Sequence, residues 1–425
     1  MFVSDRAGVE TMADAAQELE RIGVESEFGE NSARVLEADT VVVSPGVPTD
    51  APIVQKALAR NIPVVSELEV ASWFCAAPIV ALTGTNGKTT TTALLGRMLR
   101  DARVPCVVAG NIGTAFSQVA AEADPAGAAV LEVSSFQLDH IVRFRPHVAA
   151  ILNITPDHLD RYQHSFEKYI AAKQRIFENQ TAGDVLIYNA DDDVTRRAVA
   201  NRVAPAVALL PFSTRQVLPA GAFVEGGVLT AIVAGKRHAV IDAASISIPG
   251  EHNLANAMAA TLAAVTHHVP SASLRATLRN FKGVEHRLEF VREVDGVAYV
   301  NDSKATNVDS VWYALRSFRR PIVVLIGGRD KGNDYGRLLD PVREHVKAVV
   351  AIGESAEKVV SAFGPVVPTV RAATLPDAIA RARGLAAPGD VVLLSPACAS
   401  FDWFTDYEHR GRVFKEIVMQ LRPAQ

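Results

Sequence analysis

The chain of 425 residues contains little cysteine, and its three cysteines, Cys75, Cys106 and Cys398, are far apart. This spacing excludes a disulfide framework and a zinc site built from closely spaced cysteines. No apolar run reaches the length of a membrane span, and the N-terminus lacks the charged and apolar regions of a leader. A net charge of −4 with a pI near 6.3 lacks the basic excess of a nucleic-acid binder. We therefore expect a cytoplasmic protein that binds small anions in specific pockets.

Length and the alternation of strand and helix patterns predict a large α/β protein. Hydrophobic residues make up 49% of the chain and charged residues 21%, as in an ordinary globular protein. The length exceeds that of one compact core, and short apolar strands alternate with helical segments, a pattern that favours mostly parallel sheets. We expect three domains: a Rossmann-like domain at 1–67, a central nucleotide-binding domain at 68–283 and a Rossmann-like domain at 284–425.

The chain begins abruptly for a Rossmann-like domain. Residues 1–5 resemble the second strand of such a unit, which ends in the acidic residue Asp5. The first strand and its glycine loop, on the order of 30 residues by βαβ spacing, are expected to be missing. We hypothesise that the true start lies upstream, and that the loss leaves exposed sheet edges and a weakened nucleotide site.

The clearest motif is Gly84-Thr85-Asn86-Gly87-Lys88-Thr89, between the apolar segment 78–82 and a predicted helix at 90–100. Strand, glycine turn and helix start follow in the order that a phosphate-binding loop requires, with a lysine for phosphate and a hydroxyl for Mg²⁺. Leu82 stands where the longer form of this pattern has a glycine. The segment predicts binding of ATP or GTP but names no reaction.

Further polar clusters follow predicted strands in the central region. Glu132 ends the apolar run 128–131 and is placed to hold Mg²⁺, while His158 lies in the polar segment 153–162. Lys173 lies in a helical pattern that by itself predicts a surface lysine. Asn253 and Asn256 share one face of a new helix, where they either cap it or bind a base.

The region from residue 284 onward also carries polar clusters directly after predicted strands. Arg287 stands at its start, where a domain interface could direct it at a phosphate. Loops 301–307, 327–332 and 394–404 each follow a predicted strand and carry charged or hydroxyl side chains. Because parallel α/β sheets carry their chemistry at the carboxyl ends of strands, these loops together predict a substrate site.

Six segments together resemble the Mur ligases of peptidoglycan synthesis: 84–90, 110–113, 131–138, 153–162, 301–307 and 395–402. The resemblance covers essentially the whole chain in order, and it is nearest to the branch of the family that adds D-glutamate. It implies an N-terminal domain for the UDP-sugar, a central domain for ATP and a C-terminal domain for the amino acid. The implied reaction is ATP-dependent amide formation between UDP-N-acetylmuramoyl-L-alanine and D-glutamate through an acyl phosphate, in a monomer.

The resemblance also implies roles for individual residues. It makes Lys88, His158 and Lys173 catalytic. It assigns ATP to Gly84, Thr85, Asn86, Gly87, Lys88, Thr89, Thr90, Asn253, Asn256, Arg287 and Asp302. It assigns two Mg²⁺ ions to Thr89, Glu132, His158 and Lys173, the last as a carbamate derived from CO2. It assigns the UDP-substrate to Asp5, Ser44, Pro45, Asn111, Ser134 and His158. It assigns D-glutamate to Lys304, Thr306, Lys331, Ser400, Phe401 and Tyr407.

Two other interpretations stay open from the sequence. A sibling ligase that adds another amino acid, or a folylpolyglutamate synthetase, shares the phosphate loop, although the Asp-Asn-Pro-Arg motif of the diaminopimelate-adding sibling is absent. A non-catalytic nucleotide-binding switch is the other class. Such a switch needs no second and third polar cluster, and its ATP hydrolysis would not depend on an amino acid.

Overall fold

The computed structural model describes residues 1–111, 113–200, 204, 206–330 and 332–423, with the backbone alone at residue 160. The chain divides into two compact units, Met1–Lys88 with Leu99–Pro211 and Thr89–Met98 with Phe212–Gln425. Both units are layered α/β structures, which confirms the predicted class. The three-domain boundaries stay a prediction.

The elements up to residue 200 alternate regularly between strand and helix. The strands are β1 (Phe2–Asp5), β2 (Glu25–Phe28), β3 (Val41–Val43), β4 (Val64–Ser66), β5 (Ile79–Thr83), β6 (Cys106–Gly110), β7 (Ala128–Glu132), β8 (Val148–Ile151) and β9 (Val185–Asn189). The helices are α1 (Ala13–Arg21), α2 (Pro52–Ala59), α3 (Glu67–Ser72), α4 (Lys88–Asp101), α5 (Phe116–Val119), α6 (Ser135–Leu138), α7 (Phe166–Gln174) and α8 (Asp193–Ala200).

Five parallel strands form the main sheet of the first unit, in the order β9-β8-β5-β7-β6. Strands β5, β7 and β8 are buried at every residue, because helices cover both faces of a parallel sheet. Strand β5 lies between β7 and β8, so the loop that follows β5 is flanked by the carboxyl ends of both neighbours. The residues that follow β5, β7 and β8 therefore lie next to one another at one edge of the sheet.

The four strands within the first 66 residues form two smaller sheets. Strands β1 and β2 pair in parallel, and β3 and β4 form a separate parallel pair. The strand expected at residues 1–5 is thereby confirmed. The hypothesis of a missing first strand stays a prediction.

The remaining elements belong to the second unit, apart from the start of β10. The strands are β10 (Ala208–Ser213), β11 (Gly221–Glu225), β12 (Val228–Val233), β13 (Lys236–Asp242), β14 (Glu289–Val294), β15 (Val297–Asn301), β16 (Ile322–Gly327), β17 (Val346–Ile352), β18 (Thr369–Arg371) and β19 (Val391–Leu394). The helices are α9 (Glu251–Thr266), α10 (Ser271–Asn280), α11 (Val308–Leu315), α12 (Leu339–His345), α13 (Ala356–Phe363), α14 (Leu375–Leu385) and α15 (Tyr407–Gln420).

A six-stranded sheet in the order β14-β15-β19-β16-β17-β18 forms the core of the second unit. All its pairs are parallel except β14 with β15, and β15, β16 and β19 are the strands predicted before the loops at 301–307, 327–332 and 394–404. Strands β11, β12 and β13 pair antiparallel, which the prediction of parallel layering did not anticipate. Among the described residues, no helix has both the length and the apolar character needed to cross a membrane.

Glu69 is a buried carboxylate that joins helix α3 to a distant segment of the first unit. It accepts hydrogen bonds from the backbone N–H groups of Val142, Arg143 and Phe144 at 2.8 to 2.9 Å. Trp73 Nε1 donates to it as well, at 2.9 Å. Four donors around one carboxylate compensate for its burial, so Glu69 stabilises this part of the unit.

We expect Glu69→Gln to lower the free energy of unfolding by about 2–4 kcal/mol, because an amide places a donor against backbone donors. Urea denaturation followed by tryptophan fluorescence measures the change. Glu67→Gln is the matched control on the same helix, since Glu67 accepts a single exposed bond, from the N–H of Ser117. The control should cost less than about 1 kcal/mol. Equal losses in the two variants would contradict the role given to Glu69.

Candidate active site

The phosphate-binding loop is held in shape by Asn153, which follows the neighbouring strand β8. Asn153 Oδ1 accepts from the N–H of Asn86 at 2.8 Å, and its Nδ2 donates to the carbonyl of Asn86 at 3.0 Å. The Asn153 carbonyl accepts from the N–H of Thr85. Gly87 has a φ of +87°, a conformation that favours glycine. The predicted strand, loop and helix are therefore all present, with α4 starting at Lys88.

Two lysines donate to one carbonyl of this loop. Lys88 Nζ lies 2.8 Å from the oxygen of Gly84, and Lys173 Nζ lies 2.9 Å from the same atom. Lys173 is buried and stands over the ring of Tyr169, with 4.7 Å from its Nζ to the ring centroid. Burial first, and the charge of Lys88 second, lower the pKa of Lys173 well below its ordinary value. The surface position that the helical pattern alone predicts for Lys173 is wrong, because α7 turns this side chain under the loop.

Glu132 and Asn111 lie together at the ends of β7 and β6. Asn111 Nδ2 donates to Glu132 Oε1 at 3.1 Å, and the Asn111 N–H donates to the Glu132 carbonyl at 2.8 Å. The strands approach so closely that a Cβ on Gly110 would stand 2.2 Å from the Glu132 carbonyl oxygen, so only glycine fits. The pairing of Gly110 with Glu132 thus determines the position of the Glu132 side chain along the edge of the sheet.

The second oxygen of Glu132 suits a divalent cation. Oε2 is buried and has no hydrogen-bond partner among the described residues. A buried carboxylate oxygen without a donor is costly, and carboxylate oxygens are the ligands that Mg²⁺ prefers. Within the first unit, the negative charges of Asp157 and Glu132 both oppose the lowering of the Lys173 pKa. The chemistry of these groups therefore fits a Mg²⁺ site.

Ser134 and His158 occupy different local environments. Ser134 caps α6, since its hydroxyl accepts from the N–H of Gln137 and the Gln137 side chain accepts from the N–H of Ser134. His158 has a φ of +50°, and its ring forms a T-shaped contact with Phe136, with 5.1 Å between the centroids. Its Nε2 lies 3.7 Å from the carboxylate of Asp157. A non-glycine residue in this conformation is held there by its surroundings.

The residues predicted for the UDP end lie on the two small sheets. Asp5 ends β1, and its carboxylate accepts from the N–H of Ala7 at 2.8 Å. Ser44 and Pro45 follow β3 directly, in the separate pair of strands. Asp5 stands at the end of its strand as predicted, but no hydrogen bond joins Asp5 to Ser44 in the described structure.

In the second unit, Asp302 is the most enclosed of the predicted ATP residues. Ser395 Oγ donates to it at 2.8 Å, and the N–H of Leu288 donates at 3.2 Å. Burial raises the pKa of Asp302 to about 6, although the charge of Arg287 acts in the opposite direction. The Nε atom of Arg287 is buried without a hydrogen-bond partner among the described residues. Asp302 and Arg287 can each therefore form a further hydrogen bond with a ligand.

The pair Asn253 and Asn256 is buried at the start of α9. Asn253 Nδ2 donates to the carbonyl of Pro249 at 2.7 Å, and Asn256 Nδ2 donates to Asn253 Oδ1 at 3.2 Å. Among the described residues, neither side chain accepts a hydrogen bond from a backbone N–H at the start of α9, so the structure does not support the capping alternative. A role in binding the base stays a prediction.

The residues predicted for D-glutamate are only partly brought together. Lys304 Nζ donates to Thr89 Oγ1 at 2.7 Å and lies 5.7 Å from the ring centroid of Tyr407. The Thr306 N–H donates to the Lys304 carbonyl. Ser400 is buried, whereas Phe401 is 58% exposed. The structure also places Thr90 in a buried position next to Thr89 in α4. Lys331 lies outside the described residues.

Arg410 is a buried residue of this region that the sequence did not single out. Its guanidinium donates to the hydroxyl and carbonyl of Ser303 at 2.9 and 2.8 Å, and to the carbonyls of Cys398 and Ala399. It therefore ties the loop after β15 to the loop after β19. Burial lowers the pKa of Arg410 to about 10. Arg410 lies in an amphipathic helix, and the sequence of such a helix does not distinguish a buried arginine that joins two loops from an arginine on the surface.

Comparison with known proteins decides the family. Residues 82–264 match the Mur ligase middle domain, and residues 286–398 match the Mur ligase, glutamate ligase domain. The chain belongs to the Mur ligase family. This membership confirms the predicted family and the predicted enzyme class of ligase.

Two similar proteins span nearly the full length of the chain. A UDP-N-acetylmuramoylalanine--D-glutamate ligase of Salinibacter ruber is 52% identical over 415 residues, which are 96% of this chain and 90% of that protein. Another, of Chloroherpeton thalassium, is 44% identical over 99% of this chain and 93% of that protein. A solved pseudomurein peptide ligase type C from Methanothermus fervidus has a TM-score of 0.63, with 17% identity, and covers 99% of this chain and 94% of its own. The last comparison concerns the fold alone.

The buried Asp302 generates a prediction about stability and pH. Its folded pKa lies above its unfolded value, so the folded state binds a proton more tightly and its stability falls as the pH rises from about 4 to about 6. Asp302→Asn removes this titration. The free energy of unfolding of the variant relative to the wild type should therefore rise by about 1–3 kcal/mol across that window and stay level above pH 6. Urea denaturation at several pH values tests this expectation, and a pH-independent difference would contradict it.

Proposed function

We propose that the chain joins D-glutamate to UDP-N-acetylmuramoyl-L-alanine at the expense of ATP, in cytoplasmic synthesis of peptidoglycan precursors. The observation that carries the proposal is the 52% identity, across nearly the whole of both chains, with a protein of that named activity. Two structural features support it: a phosphate loop with a buried lysine beneath it, and hydroxyl and cationic side chains after three neighbouring strands of the second unit.

The first step would be phosphoryl transfer. The substrate carboxylate attacks the γ-phosphorus of ATP, so that ADP leaves and an acyl phosphate remains. The loop N–H groups, the start of α4 and the Lys88 ammonium neutralise and orient the phosphates. In the second unit, Asn253, Asn256 and Asp302 hold the nucleoside and Arg287 a phosphate. These residues position two anions that otherwise repel each other.

Two Mg²⁺ ions would be held by Thr89, Glu132, His158 and Lys173, the last as its carbamate. Bound Mg²⁺ supplies charge neutralisation on the phosphate oxygens. The burial of the Lys173 amine beside Lys88 favours its neutral form, whose lone pair attacks CO2. A C–N bond forms between the nitrogen and the carbon of CO2, one proton leaves the nitrogen, and the neutral amine becomes an anionic carbamate.

The second step would be amide formation. The amine of D-glutamate attacks the acyl carbon, the tetrahedral intermediate expels phosphate, and a proton leaves the nitrogen. Lys304, Thr306, Lys331, Ser400, Phe401 and Tyr407 are proposed to hold D-glutamate. Ammonium and hydroxyl donors suit its two carboxylates. Asn111, Ser134 and His158 are proposed to hold the muramoyl end, and Asp5, Ser44 and Pro45 the UDP end.

The decisive assay measures phosphate release from ATP in the presence of UDP-N-acetylmuramoyl-L-alanine. D-glutamate is compared with L-glutamate, glycine, L-lysine and diaminopimelate. Release that depends on D-glutamate is the expected result, because the residues proposed to hold it supply ammonium and hydroxyl donors for two carboxylates. Release with another amino acid would indicate a sibling ligase. ATP binding without turnover would instead favour a nucleotide-binding switch, and repeating the assay with an upstream extension tests whether a missing first strand is the cause.

Lys173→Ala should lower kcat at least about 100-fold, since it removes a proposed metal ligand. Lys168→Ala is the matched control on the same helix, because Lys168 is exposed and bonds Gln163. Bicarbonate should stimulate the wild type, and carbon-13 bicarbonate should give a carbamate NMR signal that Lys173→Ala lacks. Full activity in Lys173→Ala, or the same signal in both proteins, would contradict the carbamate.

A further inference from the structure

Phe136 of α6 contacts two residues of the segment 158–162. The rings of His158 and Phe136 form a T-shaped contact with 5.1 Å between their centroids, and the guanidinium carbon of Arg161 lies 4.1 Å from the centroid of the Phe136 ring. A guanidinium over an aromatic face is attracted to the π-electrons and fixed in its plane. Phe136 thus links the positions of His158 and Arg161.

Arg161 also reaches a segment more than a hundred residues away. Its Nη2 donates to the carbonyl of Val47 at 2.8 Å, in the loop at 44–49 that follows β3. A second bond joins the same loop to the core, between Thr49 Oγ1 and His140 Nε2 at 3.1 Å. The loop begins with Ser44 and Pro45, so the proposed UDP end of the site is attached here.

The turn that carries Arg161 is conformationally strained. His158 has a φ of +50° and Gln163 a φ of +54°, on either side of the short 3-10 turn at Leu159–Tyr162. Non-glycine residues adopt this conformation at a cost, so the surrounding contacts must maintain it. Arg161 supplies two of these contacts, to Phe136 and to Val47.

We propose that Arg161 is a positioning residue for the UDP-linked substrate. Its guanidinium holds the loop at 44–49 and the Phe136–His158 pair in one arrangement, so that the nucleotide end and the muramoyl end of a single molecule bind together. The Nε atom of Arg161 is buried without a hydrogen-bond partner among the described residues, so this side chain retains a donor for a substrate oxygen. The proposal rests on the proposed function, whose assay supplies the substrate.

Arg161→Met tests the proposal, because methionine keeps an unbranched apolar stem and removes every donor. The KM for UDP-N-acetylmuramoyl-L-alanine should rise about tenfold or more, the size of one lost charge-assisted hydrogen bond. The KM values for ATP and D-glutamate should stay within about twofold, since neither ligand spans the two segments. Calorimetry without turnover should give the same loss of affinity for the UDP-substrate.

Arg175→Met is the matched control. Arg175 also donates to backbone carbonyls, those of Asp139 and Ile141, and no hydrogen bond or ring contact joins it to Phe136 or to the loop at 44–49 within the described part of the chain. It should lower the unfolding midpoint without a selective rise in the KM for the UDP-substrate. Equal effects of Arg161→Met on all three substrates, or the same KM pattern in Arg175→Met, would overturn the proposal.

Arg161→Lys provides a second variant if Arg161→Met does not fold. Lysine keeps the charge but loses the planar fork, so a smaller selective rise in the same KM is expected and an unchanged KM would overturn the proposal. Phosphate release by the wild type distinguishes a failure of the proposed function from a failure of the positioning role. Absence of phosphate release dependent on D-glutamate in the wild type contradicts the proposed function, whereas a normal wild type with a non-selective Arg161→Met contradicts the positioning role alone.

Discussion

The carbonyl oxygen of Gly84 is the acceptor on which the site of the first unit depends, because the ammonium groups of Lys88 and Lys173 both donate to it. Two positive charges around one atom repel each other, and burial makes the charge on Lys173 more costly still. The neutral amine is therefore favoured at Lys173. The proposed phosphate loop thus also favours the neutral amine that the proposed carbamate at Lys173 requires.

The geometry of parallel sheets explains why this acceptor lies beside a carboxylate. Strand β5, which leads into the phosphate loop, has β7 and β8 as neighbours, so Glu132 and Asn153 arrive at the same edge. The second unit repeats the arrangement with β15, β19 and β16, whose following loops carry Asp302, Ser395 and Gly328. In both units, distant chain segments meet because parallel strands end at one edge.

Much of the fold could be predicted because its strands are continuous apolar runs bounded by glycine or polar residues. Strand β7 covers the apolar run 128–131 that was predicted to end in Glu132, and β15 and β19 end where the predicted loops 301–307 and 394–404 begin. The antiparallel strands β11 to β13 were not predicted as a group, since short half-buried strands leave a weaker pattern. Glu69 and Arg410 gave no signal either, because their roles depend on backbone groups far away in the chain.

The sequence by itself determined the order of the strands and loops, the chemistry of each loop and the family, because these depend on local spacing and on motifs. The tertiary structure alone decided the state of individual side chains. Lys173 lies in a helical pattern that predicts an exposed cation, yet it is buried against a carbonyl 89 positions earlier in the chain. Burial and neighbouring charge decide whether an ionisable group keeps its proton, and both arise only when distant segments pack together.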